Sequence, residues 1–361
     1  MIEVRRLQLD KTKRAIVISD IHANLKLFKN LLQKVNYTRE DYLFINGDLC
    51  EKGQNSLEVV EFVRGLSKQS NKVFVTIGNC DVVHRYVFNG SEGIIPYLNR
   101  QKDSVLNEML AKNLKTIDDF TNLEDLAHYY RKYFHEQIEW IESLPIAYET
   151  DDFIIIHAGI ENKENWRETK EEVALYTQEF YKQVHQAEKI VIVGHWPVVN
   201  YRANQISSHN LIIDLGKKII ALDGGNQIKK DGQLNALIIE DGTYTYTYVD
   251  ELTNEMIVQK EYNDSTKRVG TVTYPNYDMQ IIQQDNYFTL CKNTNLGIEQ
   301  WIKNEYLLID HETARAKTDL STTFISVKQG EKVWVVDHEC DGYILVKREN
   351  GEVGWLPKDC F

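Results

Sequence analysis

AIVISDIH at 15–22, YLFINGD at 42–48, KVFVTIGNCD at 72–81, FIIIHAG at 153–159 and IVIVGH at 190–195 share one form. Each is a short apolar run, rich in β-branched residues, that ends in polar side chains. Runs of this length and composition read as buried strands rather than helices. Between the first three, Leu25, Phe28, Leu31 and Leu32 fall at helical spacing, as do Leu57, Val60, Val63 and Leu66. The alternation predicts a layered α/β sheet. Ligands of such sheets sit outside the carboxyl ends of the strands. Those ends carry Asp20 and His22, then Asp48, then Asn79, Cys80 and Asp81, then His157, then His195.

Outward from these runs, residues 104–143 are polar, with leucines and aromatics at helical spacing, and read as a helical insertion. A second helix is expected over about 168–187. Around 211–248, the runs NLIID, KIIAL, LNALIIE and TYTYTYV predict a second sheet, or a sheet edge, facing the first. Beyond about residue 250 helical periodicity vanishes, and short polar strands with Gly, Asn and Asp turns take over. There DNYFTLCKNTNLGIEQWIKNEYL (285–307) resembles DGYILVKRENGEVGWLPKDCF (341–361), with Tyr287 matching Tyr343 and Trp301 matching Trp355. The second copy resembles a bacterial Src-homology-3-type barrel. The expected organisation is a catalytic domain at 1–250, a small β-barrel at 251–308 and another at 309–361. The alternative is one irregular β domain.

Composition bounds the function. Of 361 residues, 42 are Lys or Arg and 54 are Asp or Glu, so the formal charge is 42 − 54 = −12. With no long basic run, nucleic acid is not an expected partner. The five cysteines are odd in number and lack C-x-x-C spacing, as expected of free thiols in a reducing compartment. No leader-like apolar run opens the chain, and no stretch approaches the roughly 20 apolar residues of a membrane helix. A cytoplasmic protein with no membrane partner is expected.

Taken singly, each polar strand end has an ordinary explanation. An Asp after a strand often caps a helix, and N-G-D is often a turn. Five consecutive ends bearing Asp, His, Asp, Asn, His and His instead point to metal binding. Mixed carboxylate, amide and imidazole donors suit manganese, iron or zinc. Two such ions about 3.5–4 Å apart can clamp both the attacking and the leaving oxygen of a phosphoryl group. The series D-x-H, G-D-x-x-x-x-G, G-N-x-D, H-A-G and G-H, from about Val17 to Gly225, resembles the calcineurin-like metallophosphoesterase superfamily. That resemblance implies a four-layer α-β-β-α sandwich and a dinuclear site that activates water against phosphorus. It places Asp20 and His22 on the first metal, Asp48 between the two, and Asn79, His157 and His195 on the second. The implied cofactors are two divalent ions, manganese or iron first, then zinc or nickel.

WIESLPIAYE (140–149), GHWPV (194–198) and LDGG (222–225) resemble the branch containing bacterial serine/threonine phosphoprotein phosphatases and symmetrical diadenosine-tetraphosphate hydrolases. Two departures stand out. Where that branch reads G-D-x-x-D-R-G, this chain has Glu51 and Lys52. Lys keeps the charge of Arg but loses its bidentate fork. Where the branch has a His that protonates the leaving oxygen, Cys80 stands. Candidate catalytic residues are therefore Cys80, Glu51, Lys52, Asp81, His84 as a substitute acid, and Arg167 as a second phosphate grip. Arg167 reads equally well as a surface ion pair, and His84 reads better as an exposed or locally paired side chain. The leading expectation is a phosphatase acting on phosphoprotein or small phosphate esters. A phosphodiesterase or diadenosine-tetraphosphate-type hydrolase is the alternative. A phosphoesterase-fold scaffold is the third reading, with a peptide partner held by the C-terminal barrels through grooves that Tyr287, Trp301, Tyr343 and Trp355 would line, although core filling is the better reading for both tryptophans.

Overall fold

The structure, a computed structural model, describes all 361 residues. The chain divides into two compact units, one made of Met1–Trp196, Leu211–Ile228 and Gln233–Val249, the other of Pro197–Asn210, Lys229–Gly232 and Asp250–Phe361.

The first unit is a four-layer α-β-β-α sandwich. All five quoted runs are strands: Ala15–Ile18, Tyr42–Asn46, Val73–Thr76, Phe153–Ile156 and Ile190–Val193. The first three pair in parallel, and Gln233–Glu240 joins antiparallel to Ala15–Ile18, with Thr243–Asp250 beyond it. The other two belong to a six-stranded sheet with Val4–Arg6, Ala147–Glu149, Ile219–Ala221 and Ile212–Asp214. Val17, Phe44 and Leu237 of one sheet meet Tyr148, Phe153, Ile155, Ile192 and Ile220 of the other in a single core. Phe44 anchors it, with ring centroids 5.0 Å from Phe74 and 5.8 Å from Phe153. Aromatic pairs at these separations add to the area they bury.

The helices follow their apolar stripes. Leu25–Lys34 starts where the Asn24 side chain accepts from the Leu27 N–H, and it buries Leu27, Phe28, Leu31 and Leu32. Ser56–Gln69 buries Leu57, Val59, Val60 and Val63. The insertion is helical as expected, with Val105–Ala111, Leu123–Tyr133 and His135–Glu142. Two shorter helices, His84–Phe88 and Ile94–Arg100, precede it. The helix expected over 168–187 is reduced to Glu171–Tyr176. The Thr177 hydroxyl donates to the Val173 carbonyl at 2.7 Å, and Glu179 adopts a left-handed φ of 53°, so the chain turns and buries Phe180 instead.

The second unit is all β. One sheet runs Glu299–Lys303, Phe288–Asn293, Asp278–Gln284, Thr313–Ala316 and Leu307–Asp310; another runs Glu255–Ile257, Lys332–Asp337, Tyr343–Arg348 and Val353–Pro357. Val272, Met279, Phe288 and Ile302 share one core with Leu345, Val353 and Trp355, so both copies of the sequence repeat contribute to it. The matched tryptophans differ. Trp355 is fully buried and donates to the Ser321 carbonyl at 2.8 Å, whereas Trp301 is half-buried with the Arg268 guanidinium 4.0 Å from its ring. The segments Pro197–Asn210 and Lys229–Gly232 are tied in by specific bonds. The Val353 N–H donates to the Ser207 carbonyl at 2.9 Å, and Gln300 Nε2 to the Ala203 carbonyl at 2.9 Å. His209 Nε2 lies 3.0 Å from Asp231, and the buried Lys347 ammonium pairs with Asp250 at 2.8 Å.

Two outcomes follow. A chain ended at residue 250 strips these two segments of their partners and is expected to unfold at lower urea than the full protein, measured by circular dichroism. Burial alone would raise the Asp231 carboxyl, but His209 and Lys347 outweigh it and hold it at about 2. A carboxyl held below its unfolded value stabilises the fold above the ordinary range, and that contribution is lost as pH falls through about 2. Asp231→Asn should therefore lower stability at neutral pH by on the order of 2 kcal/mol. It should also flatten the decline in urea midpoint between pH 4 and pH 2; an unchanged decline would rule this out.

Candidate metal centre

The polar strand ends converge. His157 Nε2 lies 3.3 Å from Asp48 Oδ1 and 3.0 Å from Asn79 Oδ1, and His195 Nδ1 lies 2.8 Å from the same Asn79 oxygen. His22 Nε2 sits 3.9 Å from Asp20 and 3.8 Å from Asp48. Candidate ligand atoms fall into two groups, His22–Asp48–Cys80 and Asp48–His157–His195, each within 4.8 Å of one another. Asp48 belongs to both.

The backbone is bent to achieve this. Asp20 (φ 57°), His22 (φ 46°), Asp48 (φ 51°) and His195 (φ 65°) all occupy the left-handed region. Such conformations are costly in non-glycine residues and cluster where function over-determines the geometry. Glycine lets the segments approach. A Cβ on Gly194 would lie 2.1 Å from Asp20 Oδ2, and one on Gly78 would lie 2.3 Å from Asp48 Oδ1.

Several groups act as supports. Asp81, fully buried, accepts from the N–H groups of Asp48 (3.0 Å), Leu49 (2.8 Å), Cys50 (3.2 Å) and Gly78 (2.8 Å), and so shapes the loop that presents Asp48. The Cys80 N–H donates to Asp48 Oδ1 at 2.8 Å. His157 Nδ1 is oriented by the Asn46 carbonyl at 3.0 Å, and His22 Nδ1 faces the Cys50 carbonyl at 3.3 Å. Backbone carbonyls behind imidazoles of this kind set the tautomer and leave the other nitrogen free for a metal. His22 Nε2 is buried and lacks any hydrogen-bond partner.

The electrostatics ask for a cation. Asp20 and Asp48 are 1% and 3% exposed, and neither pairs with a lysine or arginine. Burial and the neighbouring Asp223 push the Asp20 carboxyl well above its ordinary range. Burial would do the same to Asp48, but His157, His22 and His195 hold it below. Burial would lower the His157 imidazole, yet Asp48 and Asp20 raise it to about 10. Buried carboxylates this crowded are stable only with a positive partner, which a divalent ion supplies more compactly than a protonated histidine. The orphaned His22 nitrogen, the shared Asp48 and the mixed donor set all fit divalent metals.

The other sequence candidates part company here. Cys80 and Lys52 line a cavity beside Asn79. Glu51 is buried, with both oxygens occupied by the Tyr97 hydroxyl, the Ser104 hydroxyl (2.9 Å) and the Val105 N–H (2.8 Å). His84 does not turn toward the centre: its Nε2 lies 2.6 Å from Glu142, which also binds Arg85. Arg167 is drawn off as well, pairing with the buried Glu149 alongside Lys189. Its side chain reads as the ion-pair alternative rather than as a phosphate grip. Sequence reading passed over Asp223, a buried carboxylate whose charge reaches Asp20. The signal was available, since L-D-G-G follows the strand Ile219–Ala221 as the other polar ends follow theirs.

Comparison with known proteins matches this arrangement to a family. The model of the calcineurin-like phosphoesterases covers residues 13–219, more than half of the chain. The chain belongs to that family. Curated relatives include the symmetrical bis(5'-nucleosyl)-tetraphosphatases of Vibrio parahaemolyticus and of Pectobacterium carotovorum. The first is 28% identical over 145 residues, 40% of this chain and 44% of the relative. The second is 30% identical over 147 residues, 40% of this chain and 42% of the relative. The chain thus matches less than half the length of these relatives. Among solved structures, a protein serine/threonine phosphatase from Saccharomyces cerevisiae aligns at TM-score 0.45 and 12% identity, over 70% of this chain and 85% of its own. A cold-active protein-tyrosine phosphatase of Shewanella aligns at 0.41 and 16%, over 69% and 83%. The family implies a dinuclear divalent metal centre, and the two ligand groups meeting at Asp48 are its candidates.

Asp48→Asn should lower bound metal, measured by elemental analysis after dialysis, more than replacement of any other single candidate ligand. Asp81→Asn, which disturbs only the loop behind it, should weaken metal affinity by about 10–100-fold, the usual effect of an outer-shell change. Two tightly held metals per chain in Asp48→Asn would refute the shared-ligand geometry.

Proposed function

We propose that the protein hydrolyses phosphate bonds at a two-metal centre held by Asp20, His22, Asp48, Asn79, His157 and His195. The membership of Asp48 in both ligand groups carries this reading. When bound, two divalent ions neutralise charge on the phosphoryl group and make water a better nucleophile. Oxygen and nitrogen donors with one amide favour manganese or iron, with zinc or nickel as substitutes. Asn79 is held between His157 and His195, and Asp48 by the Cys80 N–H, so these oxygens stay fixed as the substrate arrives. Lys52, exposed in the cavity beside the centre, meets the substrate's negative charge as a point charge. In the overall reaction water adds its oxygen to phosphorus, the bridging P–O bond breaks, and the bonding pair leaves with the departing oxygen.

The leaving oxygen receives little help from the chain. His84 is committed to Glu142 and Glu51 to Tyr97, and burial pushes the Cys80 thiol up, which makes it a poor proton donor. A well-placed acid contributes roughly 10²- to 10⁴-fold in rate, most for strongly basic leaving groups. The substrates are therefore proposed to be phosphate bonds with weakly basic leaving groups, aryl esters and phosphoanhydrides ahead of phosphoserine. The symmetrical tetraphosphatase relatives, named for splitting an anhydride, agree with this order.

Metal-free full-length protein reloaded with manganese, iron, zinc or nickel should hydrolyse an aryl phosphate and diadenosine tetraphosphate faster than a phosphoserine peptide. No hydrolysis with any metal would reject the reading. Cys80→His should raise turnover of the phosphoserine peptide more than that of the aryl phosphate, at equal metal content. Equal gains would show that another group already delivers the proton.

A further inference from the structure

Beside the metal centre lies a cavity of about 520 Å³. Asn79 and Cys80 line it, together with residues of His84–Phe88 and Ile94–Arg100, the two short helices that precede the insertion. It is several times larger than a phosphate needs and falls within the ~300–1,000 Å³ of pockets that enclose small organic ligands.

Its walls are aromatic. Tyr86 and Tyr176 are 45% and 38% exposed, with their hydroxyls 3.4 Å apart, and Tyr97 and Ile94 line the same space. Exposed aromatic rings gathered at a cleft are the usual platform for a planar ring. Tyr97 is not free to swing. Its hydroxyl donates to Glu51, which is anchored by Ser104 and Val105 and sits at a left-handed φ of 68° in the loop that follows Asp48. Glu51 is thus a positioning residue. It locks Tyr97, on the helix Ile94–Arg100, to the metal-centre loop.

The same cavity holds two cations, Lys52 and Arg100, both exposed and neither with a carboxylate partner. A phosphate seated at the metals would be neutralised there. Two further unpaired cations next to ring-stacking walls call for additional negative charge on the same molecule as the ring.

On the phosphohydrolase reading above, we propose that this cavity binds the nucleoside end of a nucleoside polyphosphate. The base lies against Tyr86, Tyr97 and Tyr176, and Lys52 and Arg100 hold the phosphates that are not attacked. A phosphotyrosine side chain would fill the ring site but leave Arg100 unused.

The test separates the cavity from the chemistry. Calorimetry on the metal-loaded protein would compare adenosine 5'-(α,β-methylene)diphosphate with methylenediphosphonate, the same anion without the nucleoside. The nucleotide analogue should bind at least about tenfold more tightly, the scale of one stacked base. Tyr86→Ala and, separately, Tyr97→Phe should reduce that ratio, and Arg100→Gln should weaken binding of the nucleotide analogue. Tyr86 is exposed enough that its replacement leaves the fold intact by circular dichroism. Equal binding of the two analogues overturns the proposal, as does a kcat/KM for a phosphotyrosine peptide above that for diadenosine tetraphosphate. Failure to hydrolyse any phosphate would instead reject the hydrolase reading, while the binding ratio still decides the cavity.

Discussion

Asp48 is the constraint on which the rest depends. Its carboxylate is buried, lacks a lysine or arginine, and lies within reach of imidazoles from three separate segments. A buried anion in that position costs several kcal/mol unless compensated. The surrounding chain is arranged for compensation by a cation rather than by burial of a counter-charged side chain. Asp81 spends its carboxylate on four backbone N–H groups so that the loop carrying Asp48 holds its left-handed turn. Gly78 and Gly194 leave the volume that any side chain would take from Asp48 and Asp20.

The sandwich explains why these groups can meet at all. Asp20, His22, Asp48 and Asn79 follow strands of the five-stranded sheet, and His157 and His195 follow strands of the six-stranded sheet. The core around Phe44 and Phe153 fixes one sheet against the other. Each candidate ligand then needs only a short exit from its strand, strained at Asp20, His22, Asp48 and His195. Rigid strands supply the precision, and the strain is confined to the few residues just beyond them.

How much of this could be read from residues alone follows from the range of the interactions. The strands, the first two helices and the polar strand ends gathered around Asp48 were legible because apolar runs and polar ends are local patterns. The helix expected over 168–187 was not, because Glu179 turns the chain where the burial of Phe180 outweighs the apolar period. For His84 and Arg167 the residues left a site role and an ion pair both open, for a different reason. Their partners, Glu142 and Glu149, lie 58 and 18 positions away, and nothing local announces which carboxylate a cation will find. The composition shift near 250 is real. Yet Ser207 and Asp231 make their bonds within the C-terminal unit, because hydrogen bonding to Val353 and pairing with His209 ignore sequence order.

The two departures from the phosphatase pattern become one once the partners are known. In the branch this chain resembles, the carboxylate at the Glu51 position orients a histidine at the Cys80 position. A thiol gives that carboxylate little to hold. Here the longer Glu side chain turns to Tyr97, Ser104 and Val105, and its negative charge ties the insertion to the loop that carries Asp48. Burial raises the Glu51 carboxyl, against which these three donors work, so releasing Tyr97 would leave a poorly solvated charge behind the metal centre. Cys80 at that position and the turn of Glu51 toward Tyr97 are then consistent with one another. On the proposed function, the chain gives up assistance to the leaving oxygen and holds the Tyr97 ring fixed in the cavity beside Asn79 and Cys80. A wall that holds the leaving group matters most when that group departs readily without a proton, as aryl and anhydride oxygens do.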